Sequence, residues 1–369
     1  MKKKIGIITF HTALNYGAVL QAYALQNFLI NTEMNNEVID FRCPYIEKCY
    51  NPFHVSEGKI INSIVRGILF GNIIRKKRKV FKKFISNELI TSCKYFTVEE
   101  LSEASDRYRF FITGSDQVWS PISAGFDIAY FLPFAADNQK YSYAASIGTT
   151  ELTDVQIDEF TKRLDGYSVV SIREKNNKAF LEKIDPTKKV MVHVDPTLLL
   201  SQTDWHKLTL ESIIKERYLL IFNVEKCINN IQFAKKIASE KHLKIVYINE
   251  RTIVKDKTIQ YIQAPSPEMF LTLFENAEVI VTNSFHGTVF SLIFQKEFYV
   301  ELDNKKQRNT RAEALLDMVN IQNRQINDSY ATDKFDSIDW LRIDTVLNKE
   351  REQSLKYFQQ ICNLNVENV

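Results

Sequence analysis

The stretch 277–294, AEVIVTNSFHGTVFSLIF, constrains the fold more than any other part of the chain. Ala277-Glu278-Val279-Ile280-Val281 is a short β-branched run with the composition of a buried strand. Thr282-Asn283-Ser284 brings turn and N-cap chemistry. Residues 288–294 then read as an apolar helix packed behind the turn. The histidine of that turn, His286, therefore falls near a helix N-terminus at the end of a strand. Open α/β sheets bind ligands at such positions, and the helix N-terminus favours anions.

The same alternation runs through the rest of the chain. Residues 4–10 read as a strand, 11–17 as a loop, 18–30 as a helix and 35–41 as the next strand. This is a Rossmann-type unit without G-x-G-x-x-G; it has only Asn15-Tyr16-Gly17, which gives little support to dinucleotide binding. Gly17 suits either close backbone approach to a ligand or a tight turn. The strand 109–113 runs into Gly114-Ser115-Asp116-Gln117-Val118-Trp119, a loop of small and acidic groups suited to hydroxyls. There Asp116 orients a hydroxyl, takes its proton or caps a turn, and Trp119 stacks on a sugar face or fills the core. The strand 167–172 leads directly to Arg173-Glu174 and a helix over 175–184. An arginine opposes the dipole at a helix start, so Arg173 makes sense facing an anion or an acidic partner. Asp195-Pro196-Thr197 ends a short strand at 190–194, and Asp195 reads as structural, holding the turn near Arg173.

A new apolar strand at 217–224 restarts the alternation, and Ser266-Pro267 marks the N-cap and first turn of the helix that feeds the opening stretch. The loop 303–311, with Lys305, Lys306, Arg308 and Arg311, either reaches the cleft of His286 or is simply solvated. The length of 369 residues suits two domains. The expected division is 1–205 as an N-terminal Rossmann-like domain on the acceptor side, 206–340 as a second one on the donor side, and 341–369 as a helix packing back on the first. A lysine- and arginine-rich helical insertion at about 59–88 belongs with the first domain in this reading. Its basic face suits an anionic membrane, or is a solvated face over an apolar stripe. The fold class is α/β: two Rossmann-like domains facing across a cleft.

Composition removes several function classes. A net charge of +3 gives no basis for nucleic-acid binding. The five cysteines are odd in number and lack C-x-x-C spacing, and no His/Asp/Glu cluster has ligand spacing, so no metal is expected. The start MKKKIGIITF passes quickly into polar His11-Thr12 and reads as a strand rather than a signal peptide, and no run approaches ~20 apolar residues. A cytoplasmic protein is expected, with peripheral contact at the inner face of the membrane left open. No P-loop is present. A histidine, cations and helix N-termini together favour a phosphorylated small molecule.

Six segments resemble the polysaccharide pyruvyl transferase family when taken in order: IGIITFHTALNYGAVLQAYAL, FITGSDQVW, SYAASIG, SIRE, VDPTLLL and VTNSFHGTVFSLIF. The resemblance implies a glycosyltransferase-B-like architecture and transfer of the pyruvyl unit of phosphoenolpyruvate to a sugar of a bacterial surface polysaccharide or its lipid-linked precursor, forming a pyruvate ketal. Phosphoenolpyruvate enters as co-substrate, and no cofactor is expected. The motif SIRE makes Arg173 a donor-binding cation, and SFHG makes His286 the catalytic or phosphate-contacting histidine, flanked by Ser284 and Gly287. A downstream lysine, Lys306 or Lys305, completes the donor site. Asp116 is the candidate general base, and Asn15, Gly17, Gly114, Ser115 and Trp119 are candidates for the glycan or lipid-linked acceptor. The alternative on the same fold is a glycosyltransferase with a nucleotide-sugar donor.

Overall fold

The computed structural model describes residues 3–50, 60–121, 126–149, 152–224, 228–249, 256–302, 310–326 and 337–364. The chain divides into two compact units. The first comprises Met1–Asn51, Ile85–Leu199 and Leu347–Val369; the second comprises Pro52–Phe84 and Leu200–Val346. The sequence attaches the basic helical insertion to the first domain, whereas most of the helix Ile60–Glu88 is grouped with the second unit.

The first unit is built on a parallel sheet of β1 (Lys4–Ile8), β2 (Asn36–Phe41), β3 (Thr91–Tyr95), β4 (Tyr108–Thr113) and β5 (Lys140–Ser142), in the order β3-β2-β1-β4-β5. Two further parallel strands, β6 (Val169–Ile172) and β7 (Lys189–Val192), are tied to it by a bridge between Ala145 and Ile172. Central β1 is buried on both faces, as the near-continuous apolar run KIGII requires of a parallel strand. Gly6 within it leaves room for Ile39 and Phe111, which would stand under 3.0 Å from a Cβ there. The edge strand β3 is half exposed and reads TSCKY; it lacks the apolar run that announces the others, and the sequence shows no strand there.

The helix Tyr16–Asn31 follows β1 and is apolar on nearly every side, as a fully covered helix must be. It begins two residues before the expected start at Ala18, because the Asn15 side chain accepts from Ala18 N at 3.3 Å and caps it.

The second unit repeats the topology with β8 (Tyr218–Phe222), β9 (Lys244–Ile248), β10 (Ile259–Ile262), β11 (Val279–Thr282) and β12 (Glu297–Val300), all parallel, in the order β10-β9-β8-β11-β12. Ser266 caps the helix Pro267–Glu275 that leads into β11, as its spacing predicts. In both sheets the strand order reverses beside the first strand, between β1 and β4 and between β8 and β11. Crevices at the carboxyl ends of such strands are where doubly wound sheets bind ligands. Among the described residues no helix is long and apolar enough to cross a membrane.

Candidate functional site

In the first unit the carboxyl ends of β1, β4, β6 and β7 are tied into one polar network. Thr9, just past β1, donates its hydroxyl to Ser115 O at 2.7 Å and receives Gln21 Nε2 at 2.8 Å. Ser115 is wholly buried, and its hydroxyl donates to Asp195 Oδ2 at 3.2 Å. Arg173 Nη1 donates to the same carboxylate oxygen at 2.6 Å, and Asp195 Oδ1 accepts from the backbone N–H and hydroxyl of Thr197 at 3.0 and 2.7 Å. Asp195 thus holds both the turn and the arginine, in the structural role its position suggests.

Glu174 lies beside them, with Oε1 at 3.5 Å from Arg173 Nε and accepting from Ser146 Oγ. Burial pulls the Arg173 value down, but the carboxylates of Glu174, Asp195 and Asp116 outweigh it and raise it, so the guanidinium stays charged. Of the two partners the sequence allows for Arg173, the structure shows the acidic one.

The other candidates of this unit have their own local duties. Gly114 would bring a Cβ to 3.0 Å from Thr9 Cβ, so its small size lets β4 end against β1. Asp116 takes a left-handed φ of 73°, an uncommon state for a residue with a Cβ, held by Ser146 N donating to its carbonyl at 3.0 Å and Gln117 N donating to Oδ1 at 2.8 Å. Asn15 is exposed and caps its helix, and Gly17 is buried inside the first turn of that helix rather than in a loop.

Trp119 corrects the sequence expectation of a sugar-stacking face. It is 0% exposed, stacked on Phe131 at 5.5 Å, with Nε1 donating to Tyr130 O at 2.9 Å. Both faces and the polar edge are used inside the core, so no ring surface is left for an acceptor.

In the second unit the opening stretch folds as strand, cap and helix, but the helix is Phe285–Ile293 and starts three residues before the expected Thr288. Ser284 is its N-cap and accepts from Gly287 N at 3.3 Å. His286 accordingly sits inside the first turn, 8% exposed, with its ring 5.1 Å from that of Phe285. Gly287 is required by packing: a Cβ there would stand 2.2 Å from Thr282 Oγ1. That hydroxyl donates to Phe222 O across the β8–β11 reversal and accepts Ser284 N at 3.0 Å. Arg311 lies over the Phe285 ring at 5.6 Å. Lys305 and Lys306 lie outside the described residues. Among the described residues no group of three or more His, Cys, Asp or Glu is placed to hold a metal ion.

The sequence reading gave no site role to Glu174, Thr9 or Ser146. A charged residue straight after a buried strand was a usable signal for Glu174. The other two are small hydroxyl residues whose partners are remote in sequence, and no local pattern reveals them.

Two doubly wound parallel sheets, each with polar groups gathered at the carboxyl ends of its strands, define an α/β protein of Rossmann type. The sequence profile described as polysaccharide pyruvyl transferase matches residues 15–300, and the chain belongs to that family of transferases. No curated protein matches it. Among solved structures it is similar to the UDP-GlcNAc 2-epimerase of Methanocaldococcus jannaschii (13% identity, 94% of this chain and 92% of that one, TM-score 0.47). It is likewise similar to a putative UDP-N-acetylglucosamine 2-epimerase of Listeria monocytogenes (12%, 94% and 95%, 0.48) and to the Streptomyces sp. SF2575 glycosyltransferase SsfS6 (10%, 95% and 96%, 0.42).

Proposed function

We propose that the protein transfers the pyruvyl group of phosphoenolpyruvate to a sugar of a bacterial surface polysaccharide or its lipid-linked precursor, forming a pyruvate ketal and releasing phosphate. Family membership supports this, and the observation that carries it into chemistry is His286, buried in the first turn of a helix at a strand-order reversal. Following the family motifs, this reading assigns donor binding to Arg173, to His286 with Ser284 and Gly287, and to Lys306 or Lys305. Asp116 takes the proton of the attacking hydroxyl, and this reading assigns the acceptor to Gly114 and Ser115 of the same loop and to Asn15 and Gly17 after the first strand. The reaction uses no cofactor. It takes place in the cytoplasm, where the exposed Arg75, Lys76, Arg78, Lys79, Lys82 and Lys83 of the helix Ile60–Glu88 give peripheral contact with an anionic membrane.

Purified protein given phosphoenolpyruvate and a lipid-linked saccharide should release phosphate and add a pyruvate ketal detectable by mass spectrometry. His286→Ala should lower the rate by about 10²–10⁴-fold without unfolding the protein. Thermal stabilisation by nucleotide sugars and none by phosphoenolpyruvate would instead favour the glycosyltransferase alternative.

A further inference from the structure

The network at the carboxyl edge of the first sheet leaves one strong acceptor unused. Glu174 is 7% exposed, and its Oε2 is buried without a hydrogen-bond partner among the described residues. Buried carboxylate oxygens are costly to leave in that state. Its other oxygen is committed, accepting from Ser146 Oγ and facing Arg173 Nε. Ser146 is itself held, its N–H donating to Asp116 O at 3.0 Å, so the carboxylate is oriented and only Oε2 lacks a partner among the described residues. In the same turn Asn177 is 2% exposed and its Nδ2 also lacks a partner among the described residues. An unused acceptor and an unused donor thus stand in one turn, beside the arginine assigned to the donor substrate.

Charge balance gives this oxygen a use. One guanidinium, Arg173, is shared by the carboxylates of Asp195, Glu174 and Asp116. An anionic substrate drawn to Arg173 adds further negative charge to a buried cluster that already has an excess of it. A proton on Oε2 offsets this without breaking the Asp195 or Ser146 contacts. Pyruvyl transfer begins by protonating the methylene carbon of phosphoenolpyruvate, so the reaction needs such a proton.

Resting on the function proposed above, we propose that Glu174 takes up a proton when phosphoenolpyruvate binds and delivers it to the methylene carbon. The O–H bond at Oε2 breaks as the C–H bond forms, and the C=C electron pair enters that new bond. The adjacent carbon becomes an oxocarbenium-like centre. The first sugar hydroxyl bonds to it and gives its proton to a carboxylate, Asp116 or the now ionised Glu174. The C–O bond to phosphate then breaks, the second hydroxyl closes the ketal, and its proton leaves with the phosphate.

Calorimetric titration of the full-length protein with phosphoenolpyruvate, in two buffers of different ionisation enthalpy at pH 8, reads proton uptake without any acceptor. Wild type should take up more protons per ligand than Glu174→Gln, and Glu174→Gln, whose side chain is already neutral, should bind at least as tightly as wild type. In turnover with the lipid-linked acceptor, Glu174→Gln should lose at least 10²-fold in kcat with KM for phosphoenolpyruvate little changed. Glu174→Asp, which keeps an acid but shortens its reach, should recover at least tenfold over Glu174→Gln. Equal proton uptake by wild type and Glu174→Gln, or equal rates for the Asp and Gln variants, overturns the role of Glu174 while leaving the proposed function standing. Absence of phosphoenolpyruvate binding by wild type overturns both.

Discussion

The two sheets share one strand order and use it differently. At the carboxyl ends of β6 and β7 the first unit buries charge: Arg173, Asp195 and Glu174 are each at least nine-tenths covered, and both carboxylates face the arginine. At the β8–β11 reversal the second unit economises on volume. Gly287 lets a helix start directly on Thr282, and behind it Phe270, Phe274 and Phe290 pack ring against ring with Trp205. The same topology therefore places two opposite demands on its residues, exact partners in one unit and exact size in the other. The first unit should be sensitive to changes in charge at constant shape, and the second to changes in shape at constant charge.

The largest effect should come from breaking the charge side of this contrast. Asp195→Ala removes the ion pair to Arg173 and both Thr197 contacts in the core and should cost about 3–5 kcal/mol in denaturant unfolding. Asp195→Asn, which keeps an acceptor for Thr197, should fall between it and wild type. A loss below about 1 kcal/mol for Asp195→Ala would mean that Arg173 finds water instead.

His193 sharpens the same contrast by pH. Burial lowers its value from the ordinary 6.5 to about 4, with the ring stacked near Tyr143 and Tyr357 and Nδ1 2.7 Å from Ser171 Oγ. The folded state holds this ring neutral, so its stabilising share is full above about pH 6.5. Between pH 6.5 and 4 the unfolded chain binds the proton more tightly, and about 3 kcal/mol should be lost as the pH falls through that window. Unfolding curves at stepped pH should show this slope in wild type and a flatter one in His193→Gln.

The smallest effect should be on the size side. Gly287→Ala forces a Cβ against Thr282 Oγ1 and should cost about 1–3 kcal/mol. Adding Thr282→Ala should relieve part of the clash, so the double variant should lose less than the sum of the singles. Strict additivity would show that the helix start shifts rather than presses on Thr282.

Periodicity made most of the strands legible, because a buried parallel strand is an apolar run whatever lies beside it. Helix starts were harder to read. Ser284 was visible within a cap stretch and Asn15 only as a loop residue, yet the helices begin at Tyr16 and Phe285, since polar or small residues such as Gly17 and His286 fit a first turn that packing stabilises. Strand β3 was missed because an edge strand buries too little to need an apolar run. Trp119 shows the opposite limit: a tryptophan beside a polar loop reads equally well as a platform or a core residue until the positions of Phe131 and Tyr130 are known.

The order of residues by itself determined the α/β class, the family motifs and the placement of His286 at a helix start, because each depends on neighbours a few positions apart. Tertiary structure decided which atoms meet. It joined Thr9 to Ser115, Ser115 to Asp195 and Asp195 to Arg173, and left Glu174 Oε2 without a partner among the described residues. These contacts link carboxyl ends of strands far apart in sequence, and only the pairing of β1, β4, β6 and β7 into parallel layers brings them within a hydrogen bond of each other.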